Sequence, residues 1–239
     1  MVFIKSIYYH FIGKIFPGGT ITPMPFPKAV LWDMDGVLAD TSPLHFATWE
    51  QILTRLGIPF NKQKFQYIYG LKNHDLLPYL TGKPLDPQWV ESVAAQKELA
   101  FRQALPGHLL PLPGVMDWLQ SFHLHGCKQA VASSAPPENV EALVEELGIR
   151  KYFSALVTPG NLPGKPDPAV FLLAANQLSE SPQNCLILED SIPGIAVARQ
   201  ANINRLAVTT INPPEALSGA DLVVKTLAHL SIEQVDSLI

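Results

Sequence analysis

The chain has 239 residues, 47% of them hydrophobic and 16% charged, with 17 Lys and Arg against 21 Asp and Glu. The formal net charge of −4 provides no basic footprint for nucleic acid or an anionic membrane, and the hydrophobic content argues against a disordered chain. The length suits one large domain or a domain carrying a substantial insert. Cys127 and Cys185 show no CxxC or Cys/His spacing. They read as small buried hydrophobes of a reducing, cytoplasmic compartment, not as a disulfide or zinc site. No apolar stretch approaches the ~20 residues of a membrane span.

Residues 1–27 read as an N-terminal extension, poorly ordered, leading into Gly18-Gly19-Thr20 and the proline-spaced Pro23-Met24-Pro25-Phe26-Pro27. Its opening MVFIKSIYYHFIGKIF is basic and apolar, but Lys5, His10 and Lys14 interrupt any signal-peptide core. The alternative is an amphipathic aromatic segment lying on a membrane without stable insertion. Met24, just before the first strand, is a candidate translation start.

Residues 28–32 read as a fully buried strand, too short and too uniformly apolar for a helix. From 41 to 106 the pattern is helical throughout, with helices expected over 43–56, 62–68, 73–80 and 87–105. They are separated by Gly57, Gly70, Gly82-Lys83-Pro84 and Pro106-Gly107. After Pro113-Gly114 strands alternate with helices. Helices are expected over 115–125, 137–147, 167–178 and 192–201, strands over 128–133, 155–158, 185–188, 205–209 and 220–224, and a helical turn over 227–230. Such alternation implies right-handed crossovers and a parallel sheet covered on both faces. The expected fold class is therefore α/β: a Rossmann-like core over 28–40 and 107–239 with an inserted all-helical cap over 41–106.

In such sheets ligands gather outside the carboxyl ends of the strands, and there the polar residues lie. Asp33-Met34-Asp35-Gly36 follows the first strand, Ser133-Ser134 the second, and Glu189-Asp190 the strand over 185–188; Gly164-Lys165-Pro166-Asp167-Pro168 stands between the last two. Each has a plain structural reading as a turn, a helix cap or an exposed loop. Carboxylates at the end of a buried strand nevertheless need a partner or a metal, and the four segments recur in one order beside α/β elements.

With DMDGVLADT, GKPDP and EDSIPGI, the sequence resembles the haloacid dehalogenase-like superfamily in its phosphatase branch, over about 28–224. It is most similar to the group that includes beta-phosphoglucomutase and small sugar-phosphate phosphatases. The resemblance implies Asp33 as a nucleophile that forms an aspartyl-phosphate, splitting one hard step into two. It implies Asp35 as the general acid–base. Carboxylate and phosphate repel, so the site needs positive charge. Mg²⁺ suits that need through oxygen ligands, with Asp33, the backbone carbonyl of Asp35, Glu189 and Asp190 as candidates. Lys165 adds a fixed cation, and Ser133 with nearby N–H groups can bind phosphoryl oxygens. Haloacid dehalogenases proper need neither the metal nor the second aspartate, so Asp35 with Glu189 and Asp190 argues for phosphate chemistry.

Thr41, His45 and Trp49 follow the nucleophile loop at the spacing seen in beta-phosphoglucomutase. Thr41 is expected at the hinge; His45 orients the acid, contacts substrate or lies on a helix surface. Lys72, Asn73 and His74 either reach the closed site from the cap and shape specificity, together with Ser134 on the core side, or form a solvated turn. A mutase must also hold a second phosphate. In this chain the cap segment Gly70–Asp75 has no arginine, and Ala135-Pro136-Pro137 lacks side-chain donors. Hydrolysis of a small phosphorylated metabolite by a monomer is the expected activity. A phosphosugar mutase and a non-catalytic metabolite-binding regulator are the alternatives.

Overall fold

Six parallel strands form one sheet: β1 (Ala29–Trp32), β2 (Lys128–Ala132), β3 (Ala155–Val157), β4 (Cys185–Glu189), β5 (Asn204–Val208) and β6 (Leu222–Val224). Their order across the sheet is β3-β2-β1-β4-β5-β6, so the chain starts in the middle and winds outward both ways. This computed structural model describes residues 26–239 apart from 69–72, 161, 164 and 166. Of 66–68 and 73–75 it describes the backbone, as it does for the antiparallel pairing of Lys14–Ile15 with Ile21–Thr22. The membrane-surface reading of the first residues lies outside the described residues.

β1 occupies the central position that its uniform apolarity requires, with all four residues fully buried. Its side chains alternate between faces. Val30 and Trp32 join one cluster with Trp118, Phe122 and Leu188, while Ala29 and Leu31 join another with Phe171, Ala174 and Ile187. The buried indole N–H of Trp32 donates to Gln129 Oε1 at 3.0 Å, and Gln129 Nε2 donates to the Leu119 carbonyl at 3.0 Å. Both polar groups are thereby satisfied inside the apolar layer. Trp32 is in register with Val131 on one side and Leu188 on the other. Asp33 therefore leaves the sheet between the ends of β2 and β4.

Between β1 and the rest of the sheet lie α1 (Ser42–Arg55), α2 (Lys62–Ile68), α3 (Asn73–Thr81) and α4 (Pro87–Ala104). They bury a cluster of their own, built on Trp49, Ile52, Leu53, Leu76, Leu77, Val90 and Val93. α4 opens on Asp86, whose side chain accepts from Trp89 N at 2.9 Å, with Pro87 at the first helical position. Its far end belongs elsewhere, because Phe101 packs into the cluster under the sheet. The sheet is covered by α5 (Val115–Leu124), α6 (Pro137–Glu146), α7 (Ala169–Gln177), α8 (Ile192–Gln200) and α9 (Ile232–Asp236). No helix among the described residues is long and apolar enough to cross a membrane.

Differences from the expected elements have local causes. The strand expected over 220–224 starts at Leu222, because the Asp221 carboxylate turns back to accept from Arg205 N at 3.0 Å and Nη2 at 2.7 Å. The helix expected over 167–178 starts at Ala169, where the Asp167 side chain accepts from Ala169 N at 2.9 Å. α9 was not expected, although Ser231 and Gln234 make a reciprocal capping box at its start.

Phe122 is fully buried and meets Trp32 edge-on at 6.1 Å and Trp118 at 5.2 Å between ring centroids. Phe122→Ala should destabilise the fold by about 3–5 kcal/mol, read as a lowered denaturant midpoint. A midpoint within error of wild type would mean that this cluster does not support the sheet.

Candidate active site

Three carboxylates converge at the ends of β1 and β4. One oxygen from each of Asp33, Glu189 and Asp190 lies within 4.8 Å of the others, and all three residues are buried. Lys165 reaches in from the loop before α7, donating to Asp33 Oδ1 at 2.6 Å and also to Glu189 Oε1. The other Glu189 oxygen accepts from the backbone N–H groups of Asp190 at 2.8 Å and Ser191 at 2.7 Å. Glu189 is therefore engaged at both oxygens, and Asp190 is not: its Oδ2 is buried without a hydrogen-bond partner. Asn212 Nδ2 donates to the Asp190 carbonyl at 2.9 Å and steadies that backbone.

Two glycines make room for these groups. Gly36 adopts φ +79°, and a Cβ there would overlap the Asp190 carboxylate. A Cβ on Gly194 would overlap the carboxylate of Glu189. The acidic cluster is thus packed to contact by backbone on two sides.

Burial pushes Asp33 from its ordinary 3.8 up to about 7, against the pull of the Lys165 charge and with the push of Glu189. Burial likewise raises Asp190, and Glu189 and Asp33 add to the effect. Lys165 holds its proton more tightly than usual. Burial opposes this, but the charges of Asp33 and Glu189 prevail. One ammonium among three close carboxylates leaves the cluster short of positive charge. An all-oxygen donor set with an unpartnered buried oxygen fits a hard divalent cation such as Mg²⁺.

Asp35 faces the other way. Its Oδ1 accepts from Thr41 Oγ1 at 2.5 Å and lies 3.4 Å from His45 Nε2. Lys97 Nζ is 2.8 Å from His45 Nδ1 and donates to both Glu98 oxygens at 3.1 and 3.2 Å. An ammonium can only donate, so Nδ1 accepts and the imidazole proton sits on Nε2, aimed at Asp35. The His45 ring stacks on Phe101 at 4.1 Å between centroids, and Lys97 lies over Phe101 and Trp49 at 5.2 and 5.7 Å. Burial works to raise the Asp35 carboxyl, but hydrogen bonds from His45 and Thr41 and the Lys97 charge hold it below the usual range. Burial, and then the Lys97 charge, lower His45.

The remaining residues expected from sequence are placed as follows. Ser133 is buried at the end of β2, where its Oγ accepts from Ala135 N at 3.1 Å, and Ser134 is exposed. Lys72 lies outside the described residues, as do the side chains of Asn73 and His74, whose backbone opens α3. Asp35 contributes no carboxylate to the acidic cluster, which leaves it the backbone carbonyl as a cation ligand. Sequence reasoning missed Lys97, Glu98, Arg102, Asn139 and Asn212. A signal existed for Lys97: it falls on the buried stripe Val90, Val93, Ala94, Lys97, Phe101 of α4, where an unpaired charge would be costly.

A family model for haloacid dehalogenase-like hydrolases matches residues 27–202. The chain is 33% identical over 216 residues to a beta-phosphoglucomutase of Bacillus subtilis, covering 86% of this chain and 92% of that protein. It is 31% identical over 214 residues to a phosphorylated carbohydrates phosphatase of Thermotoga maritima, covering 86% and 97%. Among solved structures, a family IA variant 3 hydrolase of Entamoeba histolytica superposes with a TM-score of 0.81 at 24% identity, over 88% of this chain and 98% of that one. The parallel sheet with inserted helices, carrying its acidic residues at the strand ends, is of the α/β class, and the family match makes it a hydrolase. The chain belongs to the haloacid dehalogenase-like hydrolase family.

The raised Asp33 carboxyl gives a pH test for a cation. The fold binds that proton more tightly than the unfolded chain between pH 3.8 and about 7, so without a cation stability falls as pH rises through this window. A cation that binds the ionised cluster competes with the proton. Added Mg²⁺ should therefore raise Tm more at pH 8 than at pH 5, and Asp190→Asn should remove the effect. Equal shifts at both pH values, or none, would contradict a cation site here.

Proposed function

We propose that the protein is a phosphatase that hydrolyses a small phosphorylated metabolite of the sugar-phosphate kind through an aspartyl-phosphate on Asp33. The observation that carries this reading is the Asp33 carboxylate, held by Lys165 at 2.6 Å and grouped with Glu189 and the unpartnered Asp190. In-line displacement needs a positioned nucleophile and charge around the phosphoryl oxygens, and this is where both would come from. Asp33, Asp190, Glu189 and the backbone carbonyl of Asp35 would hold Mg²⁺, which would supply the positive charge that lets a carboxylate approach phosphate.

Asp33 attacks phosphorus while the bond to the leaving oxygen breaks, and Asp35 gives that oxygen its proton. Asp35, now ionised, then takes a proton from the water that attacks the phospho-aspartate, releasing phosphate and restoring Asp33. The low pKa direction of Asp35 suits the second half of this cycle, in which it acts as base. Lys165 neutralises phosphoryl charge, and Ser133 with the backbone N–H of Ser134 binds its oxygens. Residues 41–106 serve as the lid over a core made of 28–40 and 107–239. A closing lid favours a small metabolite, and a cytoplasmic monomer meets these needs.

Hydrolysis is preferred over mutase action because the segment after Ser134 offers no clamp for a second phosphate. Ser134 is followed by Ala135, Pro136 and Pro137; none has a polar side chain, and the prolines lack an N–H. Lys72 offers one point charge without the fork of a guanidinium. Asp33→Asn should lower phosphate release at least ~10³-fold with the circular dichroism spectrum retained; wild-type turnover in that variant would end the mechanism. β-Glucose 1-phosphate with a trace of its bisphosphate should yield free phosphate. Accumulating glucose 6-phosphate would make the enzyme a mutase.

A further inference from the structure

The contacts that reach Asp35 through His45 and Lys97 continue beyond Lys97 into the sheet-covering layer. Glu98, buried beside Lys97, accepts at Oε2 from Asn139 Nδ2 at 2.6 Å. Asn139 is fully buried and lies in the first turn of α6, the helix that follows Ser133. Its Oδ1 accepts in turn from Arg102 Nη1 at 2.8 Å, one turn along α4 from Glu98. A guanidinium only donates and a carboxylate only accepts, so the amide can face just one way. Two side chains of α4 thus grip one carboxamide of α6, and the grip lies in series with the pair that orients His45.

A lysine has a long, mobile stem with three rotatable donors, and His45 Nδ1 needs one of them to stay in place. Glu98 lies against that ammonium at both oxygens, but a buried carboxylate keeps a single rotamer only while its own partners hold it. Asn139, donating to Oε2 at 2.6 Å, is one such partner from outside α4. We infer that Asn139 and Glu98 are positioning residues: they hold the Lys97 ammonium on His45 Nδ1 and so keep the His45 Nε2–H aimed at Asp35. The acid–base group is thereby tied to the helix that follows Ser133. This inference rests on the phosphatase reading for its kinetic consequence but not for its geometry.

A simple packing role for the Asn139–Glu98 contact would give losses that multiply with those of other variants; a relay gives losses that do not. Turnover of p-nitrophenyl phosphate with Mg²⁺ is measured for wild type, Asn139→Ala, Lys97→Met and the double variant, with Asp33→Asn as the inactive reference. Asn139→Ala should lower kcat about 10-fold, a fraction of the ~10²–10⁴ that positioned proton transfer contributes, with KM changed less than about 2-fold. In the Lys97→Met background it should change kcat no further. Multiplying losses, or an unaltered kcat in the folded single variant, would overturn the inference. Should Asn139→Ala fail to fold, Glu98→Gln in the same two backgrounds gives the same comparison. Histidine-ring ¹⁵N NMR adds a readout that needs no turnover. Wild type should show His45 as the Nε2–H tautomer and Asn139→Ala a mixture; an unchanged tautomer would also overturn it. If wild type releases no phosphate, or Asp33→Asn matches it, the phosphatase reading fails and the NMR result alone decides the positioning. If only the losses multiply, the positioning fails and the phosphatase reading stands.

Discussion

Asp33, Glu189 and Asp190 crowd three carboxylates into a buried space that holds one ammonium, Lys165. Like charges at this separation, away from water, repel strongly enough to drive free loops apart. They stay together because they leave adjacent strands in fixed register, with Trp32 opposite Leu188. The apolar clusters on both faces of the sheet hold that register. The site is therefore a charged load borne by a rigid scaffold. Gly36 and Gly194, where a side chain would strike a carboxylate, show how closely the backbone has been brought to it.

The two aspartates of the nucleophile loop sit in opposite environments despite their i, i+2 spacing. Asp33 is driven up by burial and its acidic neighbours, while Asp35 is held down by His45, Thr41 and Lys97. Two carboxyls whose surroundings push them apart are suited to two different tasks. The separation arises because the chain bends at Met34, between them, so that one side chain points to the strand ends and the other to α1 and α4. The inserted helices thus contribute more than a cover: His45 comes from α1 and Lys97 from α4, and both bear on Asp35.

Likeness in fold across this family says little about the reaction each member performs, since function resides in particular side chains. Relatives of similar identity carry mutase and phosphatase names. In this chain the side chains that bear on the question are local: the apolar Ala135-Pro136-Pro137 entry to α6, and the carboxamide of Asn139 gripped between Glu98 and Arg102.

Much of this was legible in the residue order. The uniformly apolar run that became β1, the Asp-x-Asp-Gly turn after it and the Glu-Asp pair at the end of β4 are local patterns, and local patterns report strand ends and turns directly. Lys97 and Asn139 were not legible in that way. Lys97 meets His45 from 52 positions away, and Asn139 meets Glu98 from 41, so neither pairing leaves a trace in spacing. The expected set of cation ligands also changed character on folding. Glu189 became doubly engaged by Lys165 and backbone N–H groups, the Asp35 carboxylate turned to Thr41 and His45, and Asp190 alone kept a free buried oxygen. Which residues stand at the strand ends follows from hydrophobic patterning along the chain. Which partner each of their side chains takes follows from distant segments packed around them, because a hydrogen bond is set by separation in space and not along the sequence.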